Sequence, residues 1–295
     1  MEIIEFFQSF SSDFLSILML IVTYFGDLYF LMSLVCIIYW CCNKEVGYKI
    51  AIVLSCSVVL NNFVKLLVES PRPLEIDGLL SFGDHTATGY SFPSGHTQSI
   101  TTFGTSLFIL TRNKLIFVLT SILVLVVGVS RIYLGLHWPI DVLGGFVLAL
   151  IVSIALNEIL IKFPRSKVNI LIGIIILVFV VCIVFFRKDE MSQGYFKSIG
   201  LVLGIYLGRL FEIRYVDFSA AASNIDNVMK LIIGSFTTIL IDGLFTYFFG
   251  VIWFASILKY FILGFWIMGV IPLIFKLSNL YYKESYEILN IKYKK

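Results

Sequence analysis

The sequence predicts an all-α, polytopic membrane helical bundle of about nine transmembrane helices, preceded by an N-terminal amphipathic helix. Three observations predict it. Of 295 residues, 59% are hydrophobic and only 14% charged, well beyond the apolar share of a soluble domain. Apolar stretches long enough to cross roughly 30 Å of hydrocarbon recur along almost the whole chain, and in lipid each has to be a helix because its backbone hydrogen bonds must close internally. The segments of about ten residues alternating apolar and polar that mark a membrane β-barrel are missing.

Taken in order, spans are expected at about 28–42, 48–67, 96–111, 114–131, 139–161, 169–186, 196–211, 231–249 and 252–275. Ahead of them, residues 3–25 mix Phe6, Phe7, Phe10, Leu15 and Leu18 with Glu5, Gln8, Ser9, Ser11, Ser12 and Asp13. This segment reads as an amphipathic helix lying at the interface, with a tenth span as the alternative. Glu2 and Glu5 stand where a signal peptide has a basic region, and no small-residue cleavage site follows, so Met1 is expected to be the mature start. The five cysteines, Cys36, Cys41, Cys42, Cys56 and Cys182, lie in or beside apolar runs without disulfide or zinc spacing and read as packing residues. A net charge of +3 is too small to suggest nucleic acid.

The distribution of lysine and arginine sets an orientation. One set of alternate loops holds Lys44, Lys49, Arg112, Lys114, Lys162, Arg165, Lys167, Arg209, Arg214 and Lys230, and the tail adds Lys276, Lys283, Lys292, Lys294 and Lys295. The other set holds Lys65, Arg72, Arg131, Arg187, Lys188 and Lys197, fifteen against six. The poorer set is expected to face outward, and with it the long connection 68–95. Loops of that length in compact proteins are usually functional or disordered.

Three motifs fall on the outward side. Lys65, then six residues, then Arg72-Pro73 close the second span. Arginine brings a planar fork of donors and lysine a compact charge, a pairing suited to a tetrahedral dianion; a snorkelling lysine and an ordinary loop arginine are the plain alternative. Pro93-Ser94-Gly95-His96 opens the third span. A helix N-terminus offers unpaired N–H groups, so Ser94 and Gly95 are expected to hold a phosphate by backbone donors while His96 protonates a leaving oxygen; the plain alternative is an N-cap serine beside a boundary histidine. Ser130-Arg131, five residues, His137, three residues, Asp141 join the fourth and fifth spans. With the fifth span beginning just before His137, His137 and Asp141 stand one turn apart on one helical face. The carboxylate takes one ring nitrogen and leaves the other free to attack phosphorus, with Arg131 as a second fork; a structural His–Asp pair is the alternative. Because the motifs end the second span, begin the third, end the fourth and begin the fifth, the alternation of spans puts all three on one face.

In these residues the chain resembles the lipid phosphate phosphatases of the type-2 phosphatidic-acid phosphatase superfamily, whose signature is these three motifs in this order. The match covers roughly residues 28–160, with every signature position present. The resemblance implies a metal-independent phosphatase without cofactor in which His137 is the nucleophile forming a phosphohistidine and Asp141 orients it. It implies His96 as general acid and Lys65, Arg72, Ser94, Gly95 and Arg131 as the phosphate-binding set. The plan of nine spans is also similar to glucose-6-phosphatase. On this resemblance residues 1–165 form a catalytic core containing the interfacial helix 3–25 and outer loop 68–95, and 166–295 a C-terminal extension of about four helices. The expected substrates are phosphate monoesters or diphosphates of lipids: phosphatidic acid, phosphatidylglycerol phosphate or a polyprenyl diphosphate. A lipid phosphotransferase, a soluble sugar-phosphate phosphatase and a non-enzymatic phospholipid transporter are the alternatives. The expected partners are membrane lipids, and the expected location is a bacterial plasma membrane with the site facing outward.

Several residues stand outside the motifs. His85 beside Asp84 reads as a solvated loop residue, Asp242 and Lys259 as a structural bridge between the last spans, and Tyr133 and Trp138 as interfacial anchors.

Overall fold

A computed structural model describes residues 1–75, 79, 81–87, 89–182, 191–249 and 253–281. Residues 183–186 of the sixth expected span, residue 252 at the start of the ninth, and Arg187, Lys188, Lys283, Lys292, Lys294 and Lys295 lie outside the described residues, as does the side chain of His85. The chain is all-helical: among the described residues there is no strand.

The helices run α1 (Glu2–Gln8), α2 (Asp13–Thr23), α3 (Leu28–Ile37), α4 (Lys44–Val68), α5 (Gly95–Thr111), α6 (Lys114–Tyr133), α7 (Pro139–Lys162), α8 (Arg165–Cys182), α9 (Gln193–Phe211), α10 (Asn224–Phe249), α11 (Trp253–Phe265) and α12 (Ile271–Leu277). Each expected span overlaps a helix, but not every one of these helices has the length and apolarity of a membrane crossing among the described residues. Among the described residues six helical segments are long and apolar enough to cross a membrane: α4, α6, α7, α8, α10 and the continuous run Trp253–Leu277. The other three fall short for visible reasons. With its π-helical extension, α3 ends at Cys42 and is a short apolar helix, α5 has 17 residues rich in threonine and serine, and α9 carries Lys197 and Arg209.

The N-terminal segment is not one amphipathic helix. The largely polar stretch from Gln8 to Asp13 interrupts it, and Ser12 caps α2 by accepting the Leu15 N–H at 3.2 Å. Glu2–Gln8 and Asp13–Gly26 consequently meet at 117°, a bent pair that together has the length and apolarity of one broken span or a re-entrant loop.

Two compact units divide the chain, one made of residues 1–32 and 53–198, the other of 33–52 and 199–295. In the first, α5 packs against α6 and α7 and buries Thr97, Gln98, Ser99, Thr101, Thr102 and Ser106. These groups pair inside the bundle. Asn61 Nδ2 donates to Gln98 Oε1 at 2.7 Å and to the Pro93 carbonyl at 3.2 Å; Gln98 Nε2 donates to the Ser57 carbonyl at 2.8 Å; Asn157 Nδ2 donates to Ser106 Oγ at 2.9 Å. Without water to replace them such bonds fix helix register, so α4 and α7 hold α5 from two sides.

Gly145 allows that approach on the α7 side. A Cβ there would lie 2.5 Å from the Ser94 carbonyl oxygen, inside any real contact distance. Gly145→Ala is expected to overpack this junction by about 1–3 kcal/mol and to lower Tm in detergent; an unchanged Tm would contradict the contact.

The second unit has its own ionic framework. Arg209 is buried and pairs with Glu45 and Glu212, and Lys44 reaches Glu212 at 3.1 Å and Asp217 at 2.6 Å. Lys230, also buried, donates to the Trp40, Ala220 and Ser219 carbonyls at 3.1, 3.0 and 3.3 Å. Gly200 and Gly204 put α9 backbone-to-backbone on α11, since a Cβ on either would meet the Ile257 or Phe261 carbonyl at 2.2 or 2.1 Å. Asp242 and Lys259 pair at 2.7 Å, the structural bridge expected of ionisable groups in apolar helices. All five cysteines are free; Cys36 and Cys56 are buried, but Cys42 is exposed and does not serve packing.

Candidate active site

The turn between α6 and α7 builds the histidine–aspartate pair. Gly135 takes a φ of +69°, a left-handed conformation that glycine adopts without steric cost, and lets the chain reverse after α6. The Leu136 and His137 N–H groups then both donate to the Arg131 carbonyl, at 3.1 and 3.3 Å. Helix α7 begins at Pro139, where a missing N–H costs nothing, so His137 precedes the helix and does not share a face with Asp141. Asp141 reaches back as the third helical residue and accepts the Trp138 N–H on Oδ2 at 2.8 Å. That same Oδ2 lies 3.4 Å from His137 Nδ1. A capping interaction, not a helical face, brings the pair together.

His137 Nε2 lies 3.2 Å from Arg72 Nη1. A guanidinium can only donate, so this nitrogen presents its lone pair and the proton sits on Nδ1, toward Asp141. Ser91, fully buried, donates its hydroxyl to Asp141 Oδ2 and lies 3.4 Å from His137 Nδ1. Burial, followed by the charges of Arg72, Arg131 and Lys65, holds the His137 imidazole well below its ordinary pKa.

Three cations surround this histidine, and all three are buried. Arg72, on the loop leaving α4, donates from Nε to the Gly89 carbonyl at 2.8 Å, from Nη1 to the Leu136 carbonyl at 2.9 Å and from Nη2 to the Tyr90 carbonyl at 3.2 Å. Lys65 on α4 donates to the same Tyr90 carbonyl. Arg131, on the last turn of α6, donates from Nη1 to Thr23 Oγ1 at 2.9 Å and Thr86 Oγ1 at 3.0 Å. Its Nε and Nη2 are buried without a hydrogen-bond partner among the described residues. Buried donors of this kind are rare unless something else satisfies them, and an oxyanion has the chemistry to do so.

Ser94 is the N-cap of α5, and His96 stands in its first turn. The backbone-donor expectation for Ser94 is corrected: its N–H is already given to the Asp141 carbonyl at 2.9 Å, which ties the start of α5 to α7. What Ser94 still offers is its hydroxyl, which accepts from Thr97 Oγ1 at 3.1 Å. His96 Nε2 is buried without a partner among the described residues.

Of the motif residues, the structure gathers Lys65, Arg72, Arg131 and Asp141 around the imidazole of His137, with the Ser94 N–H bonded to the Asp141 carbonyl and His96 close enough to act on His137 electrostatically. It adds Ser91, Thr23 and Thr86, which no sequence signal marked: a serine two residues before Pro93 and two threonines have no spacing that announces them. It also moves Tyr133 from interfacial anchor to core, since that side chain is buried with its hydroxyl 3.0 Å from Ser16 Oγ. Trp138 Nε1 donates to the Pro71 carbonyl at 3.1 Å and so braces the Arg72 loop.

The low His137 pKa has a sign that can be tested. With His137 as the nucleophile that the resemblance implies, its imidazole must be neutral, so the acid limb of kcat/KM is expected to lie below the ordinary imidazole range, once the ionisation of a phosphate substrate near pH ~6 is accounted for. Arg72→Met removes the nearest positive charge and is expected to move that limb upward; a limb that stays in place in the variant would contradict this electrostatic account.

Fold and site together define a class: an all-helical membrane protein with a buried His–Asp pair ringed by cations. Residues 46–165 match the PAP2 superfamily, and residues 196–284 match the PAP2 superfamily phosphatase, transmembrane extension. The chain belongs to the PAP2 superfamily and is an integral membrane protein. It is similar to an undecaprenyl-diphosphatase of Sulfolobus acidocaldarius, 29% identical over 43% of this chain and 61% of the relative. It is also similar to phosphatidylglycerophosphatase B of Bacillus subtilis, 28% identical over 44% of this chain and 68% of the relative. A crystal structure of a transmembrane PAP2 type phosphatidylglycerolphosphate phosphatase from Bacillus subtilis aligns with a TM-score of 0.49 and 24% identity, covering 56% of this chain and 85% of that one. The chain spans about three fifths of the length of the Sulfolobus relative.

Proposed function

We propose that this chain is a membrane phosphatase that hydrolyses phosphate monoesters or diphosphates of lipids through a phosphohistidine at His137. One observation carries the proposal: His137 Nε2 keeps a lone pair on the side where Arg72 stands, while Asp141 holds the opposite nitrogen. The phosphoryl group takes over the donors of Arg72, together with Lys65, the open edge of Arg131, the Ser94 hydroxyl and the start of α5 at Gly95. Nε2 attacks phosphorus, the bond from phosphorus to the leaving oxygen breaks, and His96, which takes up a proton as the incoming phosphate dianion offsets the three cations, gives that proton to the oxygen. His96 then takes a proton from water, the resulting hydroxide displaces Nε2 from phosphorus, and inorganic phosphate leaves. Asp141 stabilises the imidazolium character that develops at His137 in both steps.

Phosphoryl transfer asks mainly for positioning and charge stabilisation, which three buried cations supply without a metal ion. Names of the relatives favour lipid substrates, with polyprenyl diphosphate and phosphatidylglycerol phosphate ahead of phosphatidic acid. Residues 1–165 are proposed as the catalytic core and 166–295 as its membrane extension. The lysine and arginine asymmetry supports a site facing outward from a bacterial plasma membrane.

The test is phosphate release by purified protein in detergent across a polyprenyl diphosphate, a lipid phosphomonoester and glucose 6-phosphate, with and without EDTA and an acceptor alcohol lipid. Lipid hydrolysis that survives EDTA supports the proposal. Preference for the sugar phosphate, transfer in place of release, or loss of activity with EDTA would each overturn a stated part of it.

A further inference from the structure

We infer that the bent N-terminal helix pair is a working part of the phosphate site, with Thr23 as a positioning residue that aims Arg131. The inference rests on the phosphate-binding role proposed above. The pair lies wholly outside the stretch 46–165 that matches the superfamily, so nothing in the motifs assigns it a role.

Three bonds fasten the pair to the end of α6. Gln8 Nε2 donates to the Tyr133 carbonyl at 3.1 Å, Ser16 Oγ meets the Tyr133 hydroxyl at 3.0 Å, and Thr23 Oγ1 accepts from Arg131 Nη1 at 2.9 Å. Gly26, just past α2, comes so close to α5 that a Cβ there would lie 2.9 Å from the His96 carbonyl oxygen. The segment thus touches the elements bearing both Arg131 and His96.

Thr23 itself is fully buried. Together with Thr86 it engages one guanidinium nitrogen and leaves Nε and Nη2 open. No carboxylate forms a salt bridge with Arg131 among the described residues; the one acid of this segment beside it, Asp27, uses Oδ1 to cap α3 through the Tyr29 N–H at 2.8 Å. Neutral hydroxyls fix the fork in place without neutralising it, and a fork fixed in place loses less freedom when it takes a phosphate. A carboxylate in the same position would orient the arginine equally well but would compete with the substrate's charge.

Thr23→Val keeps shape and removes the acceptor; Thr23→Ser keeps the acceptor. Purified full-length protein in detergent would be assayed for lipid-phosphate KM and kcat, for inhibition by orthophosphate, and for the thermal shift that orthophosphate produces. Thr23→Val is expected to weaken orthophosphate and raise KM about tenfold, the size of one lost bond to a charged group, with kcat changed less and Tm without ligand close to wild type. Thr23→Ser is expected within about twofold of wild type. Unchanged orthophosphate affinity in Thr23→Val, or an equal loss in both variants, would overturn the inference. The orthophosphate thermal shift needs no turnover: if wild type releases no phosphate from any lipid, the phosphatase proposal fails on that ground, while the shift still reports on Thr23 and Arg131.

Discussion

His137→Ala is expected to abolish phosphate release, by at least about 10³-fold in kcat, because in the proposed mechanism this side chain forms and breaks the bond to phosphorus and no neighbour can replace it. The nearest candidate, Ser91 Oγ, is spent on Asp141 Oδ2, and His96 is assigned to the leaving oxygen. Folding is expected to survive the change. His137 lies in the turn ahead of α7, and that helix keeps its proline start, its Asp141–Trp138 cap and the bond from the Ser94 N–H to the Asp141 carbonyl. The check is phosphate release alongside the orthophosphate-induced thermal shift: activity gone with the shift retained is the predicted pattern. A variant that still turns over at more than about a hundredth of the wild-type rate would remove the nucleophile from the mechanism.

Asp141→Asn is the second large effect, expected at roughly 10³–10⁴-fold in kcat, comparable with the loss when an orienting carboxylate behind a catalytic histidine becomes an amide. Asp141 Oδ2 has three neighbours: the Ser91 hydroxyl, the Trp138 N–H at 2.8 Å and His137 Nδ1 at 3.4 Å. An amide can cap α7 with its oxygen or face His137 with its NH₂, and the second choice forces the proton onto Nε2, where it blocks attack and opposes the Arg72 donor. Ground-state binding should change little, since no phosphate donor is removed. A large kcat loss with an almost unchanged KM is therefore predicted; a rise in KM with kcat intact would place Asp141 among binding residues instead.

The sequence made the site legible wherever a chemical requirement appears as spacing. Prolines and glycines with a fixed histidine, a cation pair at the end of one helix and a His–Asp pair at the head of another are local patterns, and they fall together in one compact unit. The His137–Asp141 contact was anticipated with the wrong geometry. Pro139 sets the first turn of α7, so a capping carboxylate does what one helical face was expected to do. Thr23, Thr86 and Ser91 were invisible for a different reason. A hydroxyl acquires a role only from the group that tertiary structure sets beside it, and these three are set beside Arg131 and Asp141 by segments far apart in the chain.

The fold shows the same division. Long apolar runs such as α6, α7 and α8 declare themselves, because hydrocarbon leaves no other structure for them. The number of crossings is less plainly written, since α5 turns its own Gln98 and Ser106 inward to Asn61 and Asn157 and α9 includes Lys197 and Arg209. Buried polar pairing is a tertiary property, and hydropathy summed along the chain counts it as exposure. In the N-terminal segment the reverse held: the largely polar stretch from Gln8 to Asp13, broken by Phe10, was written in the sequence, yet its consequence, a 117° bend, depends on Ser12 capping a new helix.

The central claim is a covalent bond between phosphorus and His137. Rapid acid-free quenching of the enzyme during turnover of a ³²P-labelled lipid phosphate tests it most directly. The account predicts label on the protein that survives base, is lost in acid, maps to the peptide containing His137 and disappears in His137→Ala. Label that never forms in an actively turning-over wild type, or that forms equally in His137→Ala, would contradict it.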